Sequence, residues 1–377
     1  MGYKVPFVNY SLQYKKIKKR IDKTMADVLN RGDLILRKDT EEFEKKLADF
    51  IGVKYAVGLN SGTDALFFSL LACGIKKGDE VITVSHTFVA SIATIVQAGG
   101  KPILVDVGND YVMDTGKLEK VIGPKTKFII PVHLNGRMVD MEKVMAIAKK
   151  YNLIVIEDAA QSIGAKYKMK KLGWRVGGSI GLTGCFSFYP AKILGCFGDG
   201  GAITTNNQDI AQKVRLLRDH GQETKTNIVC YGWNSRLDNL QAAVLNVKLA
   251  YLSDWIKRRR EIAKIYSHML TGIKEIKLPP EIDSDPNYFD VFQNYVICAE
   301  RRNELYNYLK ENGVETLIKD RVANHCQPGL NLSRFKLPVS EHLANEVISL
   351  PMYPELTNQQ VGYVVKCIVG FYRHRRV

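Results

Sequence analysis

Lys192 is the residue of this chain whose neighbours best suit covalent chemistry. It follows the strand-like run "GCFSFYP" and precedes a loop that contains Gly195, Gly198, Gly200 and Gly201. Glycines let the backbone and a bulky ligand come close together, and a lysine amine can form a Schiff base with a carbonyl compound. A solvated surface lysine is the usual alternative, because the chain contains 54 lysines and arginines. The assignment therefore depends on what else lies near this amine.

A pair of carboxylates ends the apolar run "LIVIED" at residues 153–158. Glu157 and Asp158 should lie at the carboxyl end of a buried strand, where open α/β sheets build their ligand sites. An acid there, followed by two alanines and Gln161, could hold a protonated heterocycle. A purely structural role as a helix cap is the alternative.

A small polar turn, "LNSGT", joins another short strand to a helix that is predicted to begin near Thr63. Exposed N–H groups at the start of a helix, together with the hydroxyls of Ser61 and Thr63, suit a phosphate group. An ordinary helix cap would look the same in sequence, so this turn is not decisive by itself.

The phosphate-binding turn, the carboxylate and the lysine amine are together the three requirements of pyridoxal phosphate. In enzymes that use this cofactor, a lysine forms the Schiff base, and a carboxylate keeps the pyridine nitrogen protonated so that the ring accepts electrons. The three features also follow one another along the chain in the matching order. The sequence therefore predicts a pyridoxal phosphate site.

Alternating strand and helix patterns position these residues from about residue 40 onward. One helix places Phe43, Leu47, Phe50 and Ile51 on a single face. Continuous apolar strands separated by helical segments predict a mostly parallel sheet that is covered on both faces, which is an α/β domain. The strand-like runs are "KYAVGL", "EVITV", "PILVDV", "KFIIPV", "LIVIED", "GCFSF" and "GAITT".

The pattern changes further along the chain, and we predict a large α/β domain over residues 1–245 and a smaller α+β domain over residues 246–377. One or two long helices run to about residue 270, and fewer strands follow. We predict strands at "QNYVICA" and "VETLI", and a last helix with Thr357 as its N-cap.

Charge and cysteine content argue against several functional classes. The formal net charge is +15, but the basic clusters are short and dispersed, so we expect neither nucleic acid nor a membrane as partner. GxGxxG and P-loop motifs are absent, apolar runs are too short to span a bilayer, and the first residues lack a signal core. Seven scattered cysteines without a CxxC pair predict no metal site and a cytoplasmic protein.

The sequence resembles, almost from end to end, the fold-type I pyridoxal-phosphate-dependent nucleotide-sugar aminotransferases of the DegT/DnrJ/EryC1/StrS family. The resemblance implies a large domain with a mostly parallel mixed sheet between helices, and a smaller C-terminal α+β domain. It is carried by "NSGTDAL", "HTFVAS", "KTKFIIPVHLNGRMVDM", "VIEDAAQSIGA", "FSFYPAKILGCFGDGGAI", "RDHG" and "GWNSRLDNLQAAVL".

The same resemblance implies a role for each cofactor-binding residue. Lys192 would form the Schiff base and shuttle the proton, and Asp158 would pair with the pyridine nitrogen. Gln161 would contact the ring hydroxyl, and Phe88 would stack on the ring. The phosphate would be bound by Gly62, Thr63 and Ser187, and by Asn234 from the neighbouring subunit of a homodimer with shared active sites.

The implied reaction moves an amino group from L-glutamate, which becomes 2-oxoglutarate, to a nucleotide-linked keto-sugar. Tyr189, Arg236 and His325 would face the substrate, although Arg236 could instead form a salt bridge with Asp238 or another acid. "NSRLDNLQAA" and "SLPMYPEL" resemble members of the family that act at C3 more than those that act at C4, so the resemblance favours C3. Lys319 and Asp320 replace the usual His-Tyr pair of a substrate-facing loop, which leaves the exact sugar open.

Two other functions remain as alternatives at this stage. A dehydratase or lyase on the same fold would consume no amino donor, but dehydratases of the family have histidine where this chain has Lys192. A non-catalytic regulator that associates with DNA is the alternative from another class. An intact Lys192 with Asp158, and no apparent helix-turn-helix, favour the aminotransferase.

Overall fold

The computed structural model describes residues 2–319 and 321–373. Its helices are α1 (Tyr10–Arg31), α2 (Lys38–Ile51), α3 (Gly62–Ala72), α4 (Ala90–Gln97), α5 (Met141–Tyr151), α6 (Gln208–Arg218), α7 (Asn239–Leu249), α8 (Leu252–Leu270), α9 (Arg302–Glu311), α10 (Pro338–Glu346) and α11 (Asn358–Arg373). Short 3-10 helices span Thr115–Val121, Leu134–Gly136, Asn324–Cys326 and Pro328–Leu330.

The strands are β1 (Tyr55–Leu59), β2 (Glu80–Val84), β3 (Lys101–Val105), β4 (Thr126–Ile129), β5 (Ile154–Asp158), β6 (Lys166–Met169), β7 (Gly173–Val176), β8 (Thr183–Ser187), β9 (Gly201–Thr205), β10 (Gln222–Thr224), β11 (Asn227–Ile228), β12 (Ile276–Lys277), β13 (Tyr288–Phe289), β14 (Tyr295–Ala299) and β15 (Val347–Leu350). All seven strand-like runs predicted between residues 54 and 205 form strands of the main sheet.

The main sheet has the strand order β1-β9-β8-β5-β4-β2-β3. Neighbours from β8 through to β3 are parallel, whereas β9 is antiparallel to both β8 and β1. The predicted α/β class with a mostly parallel mixed sheet is therefore confirmed. The strands are almost continuously buried, which explains their apolar sequences.

Helix α2 shows how a sequence pattern becomes packing. Phe43, Leu47 and Ile51 are buried, and Phe50 packs at the margin of the same core, so the predicted helix face is confirmed. The ring of Phe43 meets that of Phe188 edge to face, with centroids 5.2 Å apart. This contact fixes α2 against the chain that leaves β8, just before Lys192.

Four parallel strands end at one edge of the sheet, and the chain that follows each of them carries predicted site residues. Strand β1 ends before Gly62, β2 before Phe88, β5 at Asp158 and β8 at Ser187. The carboxyl edge of a parallel sheet is where such folds bind ligands, because loops there surround one crevice. The topology thus gathers residues that are far apart in sequence.

A second apolar core lies in the C-terminal part of the chain. It packs helices α8, α9 and α11 around the three-stranded sheet β12-β14-β15. The predicted cap of α11 is confirmed, since the Gln360 N–H donates to Thr357 Oγ1 over 3.1 Å. The strand predicted at "VETLI" is wrong, because this stretch forms only single bridges, Val5 with Val314 and Leu317 with Ser349.

The predicted domain boundary at 245/246 lies inside α7, which is one uninterrupted helix. Helix α7 packs on α1 and α2, and Leu245 belongs to the core of the main sheet. The N-terminal segment does not follow the boundary either, since Val5 lies in the C-terminal core. We therefore propose a division between α7 and α8, with the first residues of the chain joined to the second part.

None of the described helices has the length and apolar character needed to span a bilayer.

Candidate active site

Lys192 lies in a tight turn immediately after β8. Its backbone N–H donates to the carbonyl of Tyr189 over 2.8 Å, and Cys196 N–H donates to Phe188 O over 2.7 Å. An added Cβ at Gly195 would lie 2.6 Å from the carbonyl oxygen of Pro190. Glycine is thus required there because the turn closes on itself around the lysine.

The environment of Lys192 raises the fraction of its amine that is neutral. Burial lowers the pKa of Lys192 to about 8, and the negative charge of Asp158 opposes this shift. A pKa of about 8 leaves about one amine in ten neutral at pH 7, far more than for a solvated lysine. The side chain can therefore both accept and give a proton near neutral pH.

Asp158 is a buried carboxylate with few protein partners. Its Oδ2 accepts a hydrogen bond of 2.7 Å from Ser91 Oγ, and its Oδ1 accepts one of 3.2 Å from the Ala160 N–H. Only 5 % of the residue is exposed. These donors orient the carboxylate at the end of β5, on the side of the sheet edge where Lys192 lies.

Glu157, the neighbouring acid, has a structural role. Its carboxylate accepts hydrogen bonds from the N–H groups of Gly178, Ile180 and Gly181, and it pairs with His133 Nε2 over 2.9 Å. Adjacent residues of a strand point to opposite faces, so the two acids of "VIED" enter different surroundings. The structure thus separates the site carboxylate from the one that holds a loop.

Gly62 and Ser187 form a narrow cradle at the start of α3. A Cβ added to Gly62 would lie 2.6 Å from Ser187 Cβ, so the two residues approach more closely than any side chain at position 62 allows. Ser61 Oγ caps the helix by accepting from the Asp64 N–H over 3.0 Å. The N–H groups of Gly62 and Thr63 belong to the unpaired first turn, which suits an anion.

Phe88 projects from the loop after β2 and is 66 % exposed. Its carbonyl accepts a 3.2 Å hydrogen bond from the N–H of Ser91, the residue that also binds Asp158. Asn324 holds the same loop, since its Nδ2 donates to the carbonyls of Ser85 and Thr87 over 2.9 and 2.7 Å. An exposed aromatic ring held beside a buried carboxylate suits stacking on a flat ligand.

His325 lies beneath this loop and is 1 % exposed. Its Nδ1 is 2.8 Å from Ser85 Oγ, and its Nε2 is 3.1 Å from Glu341 Oε1. The predicted contact between His325 and a substrate is therefore corrected: both ring nitrogens bind protein groups, and the ring supports the Phe88 loop from below.

The side-chain amide of Gln161 is oriented with its oxygen towards protein donors. Its Oε1 accepts from the Asn135 N–H over 3.0 Å and from Asn294 Nδ2 over 3.2 Å. Asn294 also donates to Asn135 Oδ1 over 3.0 Å. Because its oxygen is used in this way, the amide presents its NH₂ group as the donor for a ligand.

Asn234 is exposed, and the residue beside it is not. Ser235 is 1 % exposed, and its Oγ donates to Asp64 Oδ2 over 2.6 Å. The segment is thereby fixed to the first turn of α3, while Asn234 itself faces outward.

Two of the predicted substrate residues differ in whether their side chains are bonded to other protein groups. Tyr189 is 54 % exposed next to Lys192 and is placed to meet a ligand. Arg236 donates to Asp219 Oδ1 over 2.9 Å, so the salt bridge considered from the sequence exists, with Asp219 rather than Asp238.

Lys319 lies near His86, the residue that precedes the Thr87-Phe88 pair. Burial lowers the pKa of His86 to about 4, and the Lys319 charge acts in the same direction against the opposing charge of Asp106. His86 is therefore neutral at physiological pH. Asp320, the other unusual residue of this loop, lies outside the described residues.

Several residues that position the site have no signal of their own in the sequence. Ser91 orients Asp158, Asn294 orients Gln161, and Gln293 holds the backbone beside Lys192. Lys248 is buried on α7 and donates to the Gly195 carbonyl over 2.6 Å. The buried apolar residues of α7 around Lys248 place it at a core position. No feature of the sequence near Lys248 indicates that its partner is the Gly195 carbonyl.

The residues present fit pyridoxal phosphate. The Gly62–Ser187 cradle matches a phosphate, Asp158 matches a protonated ring nitrogen, and Lys192 supplies a partly neutral amine. Exposed Phe88 can cover one ring face, and Gln161 can donate to a ring hydroxyl. These groups meet at one edge of the sheet.

Comparison with known proteins agrees with this geometry. The model of the DegT/DnrJ/EryC1/StrS aminotransferase family matches residues 15–369. The chain is 40 % identical to a "Pleiotropic regulatory protein" of Geobacillus stearothermophilus, over 98 % of this chain and 99 % of that one. It is 39 % identical to the UDP-2-acetamido-2-deoxy-3-oxo-D-glucuronate aminotransferase of Pseudomonas aeruginosa, over 97 % and 100 %. The crystal structure of S. venezuelae DesV in complex with a ketimine intermediate superposes with a TM-score of 0.94, at 37 % identity, over 100 % of both chains.

Proposed function

The chain belongs to the DegT/DnrJ/EryC1/StrS aminotransferase family, and from this premise we propose that it transfers an amino group from L-glutamate to a nucleotide-linked 3-keto sugar. The protein is a pyridoxal-phosphate-dependent aminotransferase. We propose that the cofactor is held covalently by Lys192 Nζ. Free thiols at all seven cysteines support a cytoplasmic location.

The observation that carries this proposal is the convergence of three groups at the carboxyl edge of the sheet. The Lys192 amine has its pKa lowered to about 8, Asp158 is buried with its carboxylate oriented by Ser91, and Gly62 meets Ser187 at the start of α3. A purely structural role for Lys192 would not explain why a phosphate cradle and a buried acid lie beside it.

Binding depends on groups at both ends of the cofactor. At one end, the N–H groups of Gly62 and Thr63 and the hydroxyl of Ser187 would hold the phosphate, aided by the positive end of helix α3. At the other end, Asp158 would hold the protonated ring nitrogen, and Gln161 would donate to the ring hydroxyl. Phe88 would cover the ring and exclude water from one of its faces.

Lys192 is the group that moves a proton. Bound pyridoxal phosphate supplies an electron sink that stabilises negative charge on the carbon that loses the proton. When its side chain is free, Lys192 would accept the proton from the donor's Cα at its neutral Nζ and then give the proton up again, which returns Nζ to the neutral form. In the second half of the reaction, the same Nζ moves a proton in the reverse direction, onto the sugar carbon that receives the amine.

The acceptor proposal uses a relative and the sequence together. The Pseudomonas aeruginosa aminotransferase is named for a 3-oxo sugar nucleotide, and the segments "NSRLDNLQAA" and "SLPMYPEL" resemble those of family members that act at C3. Tyr189, half exposed beside Lys192, would contact the sugar. Arg236 forms a salt bridge with Asp219, so it would act on the sugar nucleotide through its positive charge rather than through a bidentate hydrogen bond.

We also propose that the active unit is a homodimer in which Asn234 reaches the partner's cofactor phosphate. Asn234 is exposed, and it lies in a segment that exposes large apolar side chains: Ile228 is 66 % exposed and Tyr231 is 96 % exposed. Apolar side chains clustered on one exposed segment are typical of an interface. Because Ser235 is fixed to α3, the segment is presented in one orientation.

The experiment is an absorbance titration of purified protein with L-glutamate, with 2-oxoglutarate measured as product. We expect the long-wavelength band of the Schiff base to be lost as one equivalent of 2-oxoglutarate forms per site. Lys192→Ala should lack the band and the product, whereas the exposed control Lys171→Ala should behave like wild type. A nucleotide 3-keto sugar should then restore the band faster than the 4-keto isomer.

Two outcomes would contradict the proposal. If wild type binds no pyridoxal phosphate, the assignment of Lys192 fails and a regulatory role, as in the name of the Geobacillus relative, becomes the better account. If the cofactor binds but L-glutamate leaves the band unchanged, a reaction without an amino donor is indicated.

A further inference from the structure

Gln293 touches the backbone on both sides of Lys192. Its Nε2 donates to the carbonyl of Ala191 over 2.8 Å, and its Oε1 accepts from the N–H of Ile193 over 2.8 Å. The residue is 7 % exposed and lies two residues before β14, 100 residues along the chain from Ile193. One amide thus brackets the lysine with two hydrogen bonds of good length.

We propose that Gln293 is a positioning residue for Lys192, an inference that rests on the proposed covalent role of this lysine. The amide fixes the lysine's Cα while leaving its four-carbon side chain free to swing between covalent anchoring and proton transfer. Displacement of the Lys192 Cα would slow proton transfer by its Nζ, because reacting atoms must approach within about 3–3.5 Å.

The turn around Lys192 needs an outside support. It has neither helix nor strand hydrogen bonds, and within the turn the Lys192 N–H bonds only to the Tyr189 carbonyl. Gln293 pairs with the N–H of buried Ile193, which follows the lysine, and with the carbonyl of half-buried Ala191, which precedes it. Such paired polar groups restrict a segment to one conformation.

Gln293 is itself firmly held. The buried guanidinium of Arg259, on α8, donates through Nη1 to the carbonyls of Phe292, Gln293 and Met352 over 3.1, 3.2 and 3.0 Å. Asn294, the next residue, orients Gln161. Residues 292–294 therefore form a fixed segment that supports two cofactor-binding residues from the C-terminal part of the chain.

A purely structural role for Gln293 is the alternative, and a second glutamine of the same loop provides a control. Gln241 Oε1 accepts from the Phe197 N–H over 2.9 Å, in the same glycine-rich loop but five residues beyond Lys192. If Gln293 acts only by stabilising the loop, any loss of rate in Gln293→Leu should follow from its loss of thermal stability. If Gln293 positions the lysine, the rate should fall by more than the loss of stability explains.

The first measurement uses cofactor-free protein, in which Lys192 is labelled by an amine-reactive reagent and quantified by peptide mass spectrometry across pH. In wild type, we expect a midpoint at about pH 8. Gln293→Asn keeps an amide at this position, but the shorter side chain cannot bond to both Ala191 O and the Ile193 N–H, so the turn loosens and the amine gains contact with water. We expect its midpoint for Lys192 to rise towards that of a solvated lysine by about one unit, whereas Gln241→Asn should leave the midpoint where it was.

The second measurement uses the holoenzyme. Gln293→Leu should slow the L-glutamate half-reaction by about 10-fold or more, with a smaller change in the L-glutamate concentration at half-maximal rate, because geometry rather than binding is lost. Gln241→Leu should change the rate less than about twofold. Thermal unfolding of each variant gives the structural effect alone.

The outcomes are distinguishable from failure of the proposed function. If wild type forms no Schiff base band, the proposed function fails and this inference fails with it. If wild type reacts but Gln293→Leu keeps its rate, or Gln293→Asn keeps the labelling midpoint, Gln293 does not position Lys192. If Gln293→Leu does not fold, the Gln293→Asn midpoint still decides, because that variant keeps an amide at this position.

Discussion

The cradle at the start of α3 allows a sharp test of the phosphate assignment through Gly62→Ala. The added methyl group would lie 2.6 Å from Ser187 Cβ and 3.1 Å from its Cα. Non-bonded carbons normally lie about 3.5–4.0 Å apart, so residues 62 and 187 must separate by about 1 Å. The contacting atoms are Cβ and Cα of Ser187, whose positions do not depend on the side-chain rotamer, so no rotamer change relieves the contact.

The separation has a calculable effect on anion binding. A charge-assisted hydrogen bond of about 2.8 Å that lengthens by about 1 Å is lost. One such bond contributes about 1.5–3 kcal/mol, which is about 10-fold to 100-fold in dissociation constant. We therefore expect Gly62→Ala to weaken pyridoxal phosphate binding by this factor, as measured by the absorbance of protein titrated with the cofactor.

Two controls give this test its specificity. Gly362→Ala lies inside α11, where an added Cβ meets open space, so it should bind the cofactor normally and be more stable by about 0.5–1 kcal/mol. Pyridoxal, which lacks the phosphate, should bind wild type and Gly62→Ala with nearly equal affinity. If Gly62→Ala binds pyridoxal phosphate like wild type, or loses pyridoxal to the same degree, the cradle is not the phosphate site.

Three further predictions follow from the site. Because only neutral Lys192 accepts a proton, the rate of the L-glutamate half-reaction should rise with pH and level off above about pH 8 in stopped-flow measurements; a rate that is flat from pH 6 to 9 would refute this role. If Asn234 serves the partner's site, mixing inactive Lys192→Ala with inactive Asn234→Ala should restore about a quarter of wild-type activity, since half the dimers contain one complete site; no recovery after subunit exchange means that Asn234 acts within its own chain. Burial lowers the pKa of Lys248 from 10.5 to about 8, so the unfolded chain binds more protons between these values. The free energy of unfolding of wild type should therefore rise relative to Lys248→Met by up to about 3 kcal/mol from pH 8 to 10.5, a difference that denaturant titrations would detect or exclude.

The sequence was sufficient to predict the main sheet because its strands are buried on both faces and are therefore continuously apolar. The sequence also indicated that Gly62, Asp158 and Lys192 lie at one edge of this sheet, since each lies at or just after the end of such a strand; their roles towards the cofactor stay a prediction. The strand predicted at "VETLI" was wrong, because β-propensity cannot show whether a neighbouring edge is available for more than a single bridge.

Contacts between distant residues explain what the sequence could not indicate. Gln293 and Ile193 are 100 residues apart, and nothing near either residue marks the other as its partner. His325 was expected at the substrate, but a histidine is equally suited to bridging Ser85 and Glu341 in the interior. The division that we propose between α7 and α8 differs from the boundary predicted at 245/246 for a similar reason, since α7 packs on α1 and α2 although it leads into the second part of the chain.

The support of Lys192 by residues 292–294 also limits how members of this family can be recombined. A chimera that grafts the C-terminal part of one enzyme onto the sheet of another, to exchange sugar specificity, would exchange the amides that hold the recipient's lysine and its Gln161. Arg259, whose guanidinium joins Gln293 to Met352, lies on α8 and would be exchanged together with these amides. Exchange of single loop residues facing the sugar, with this segment left in place, is therefore the safer route to new specificities.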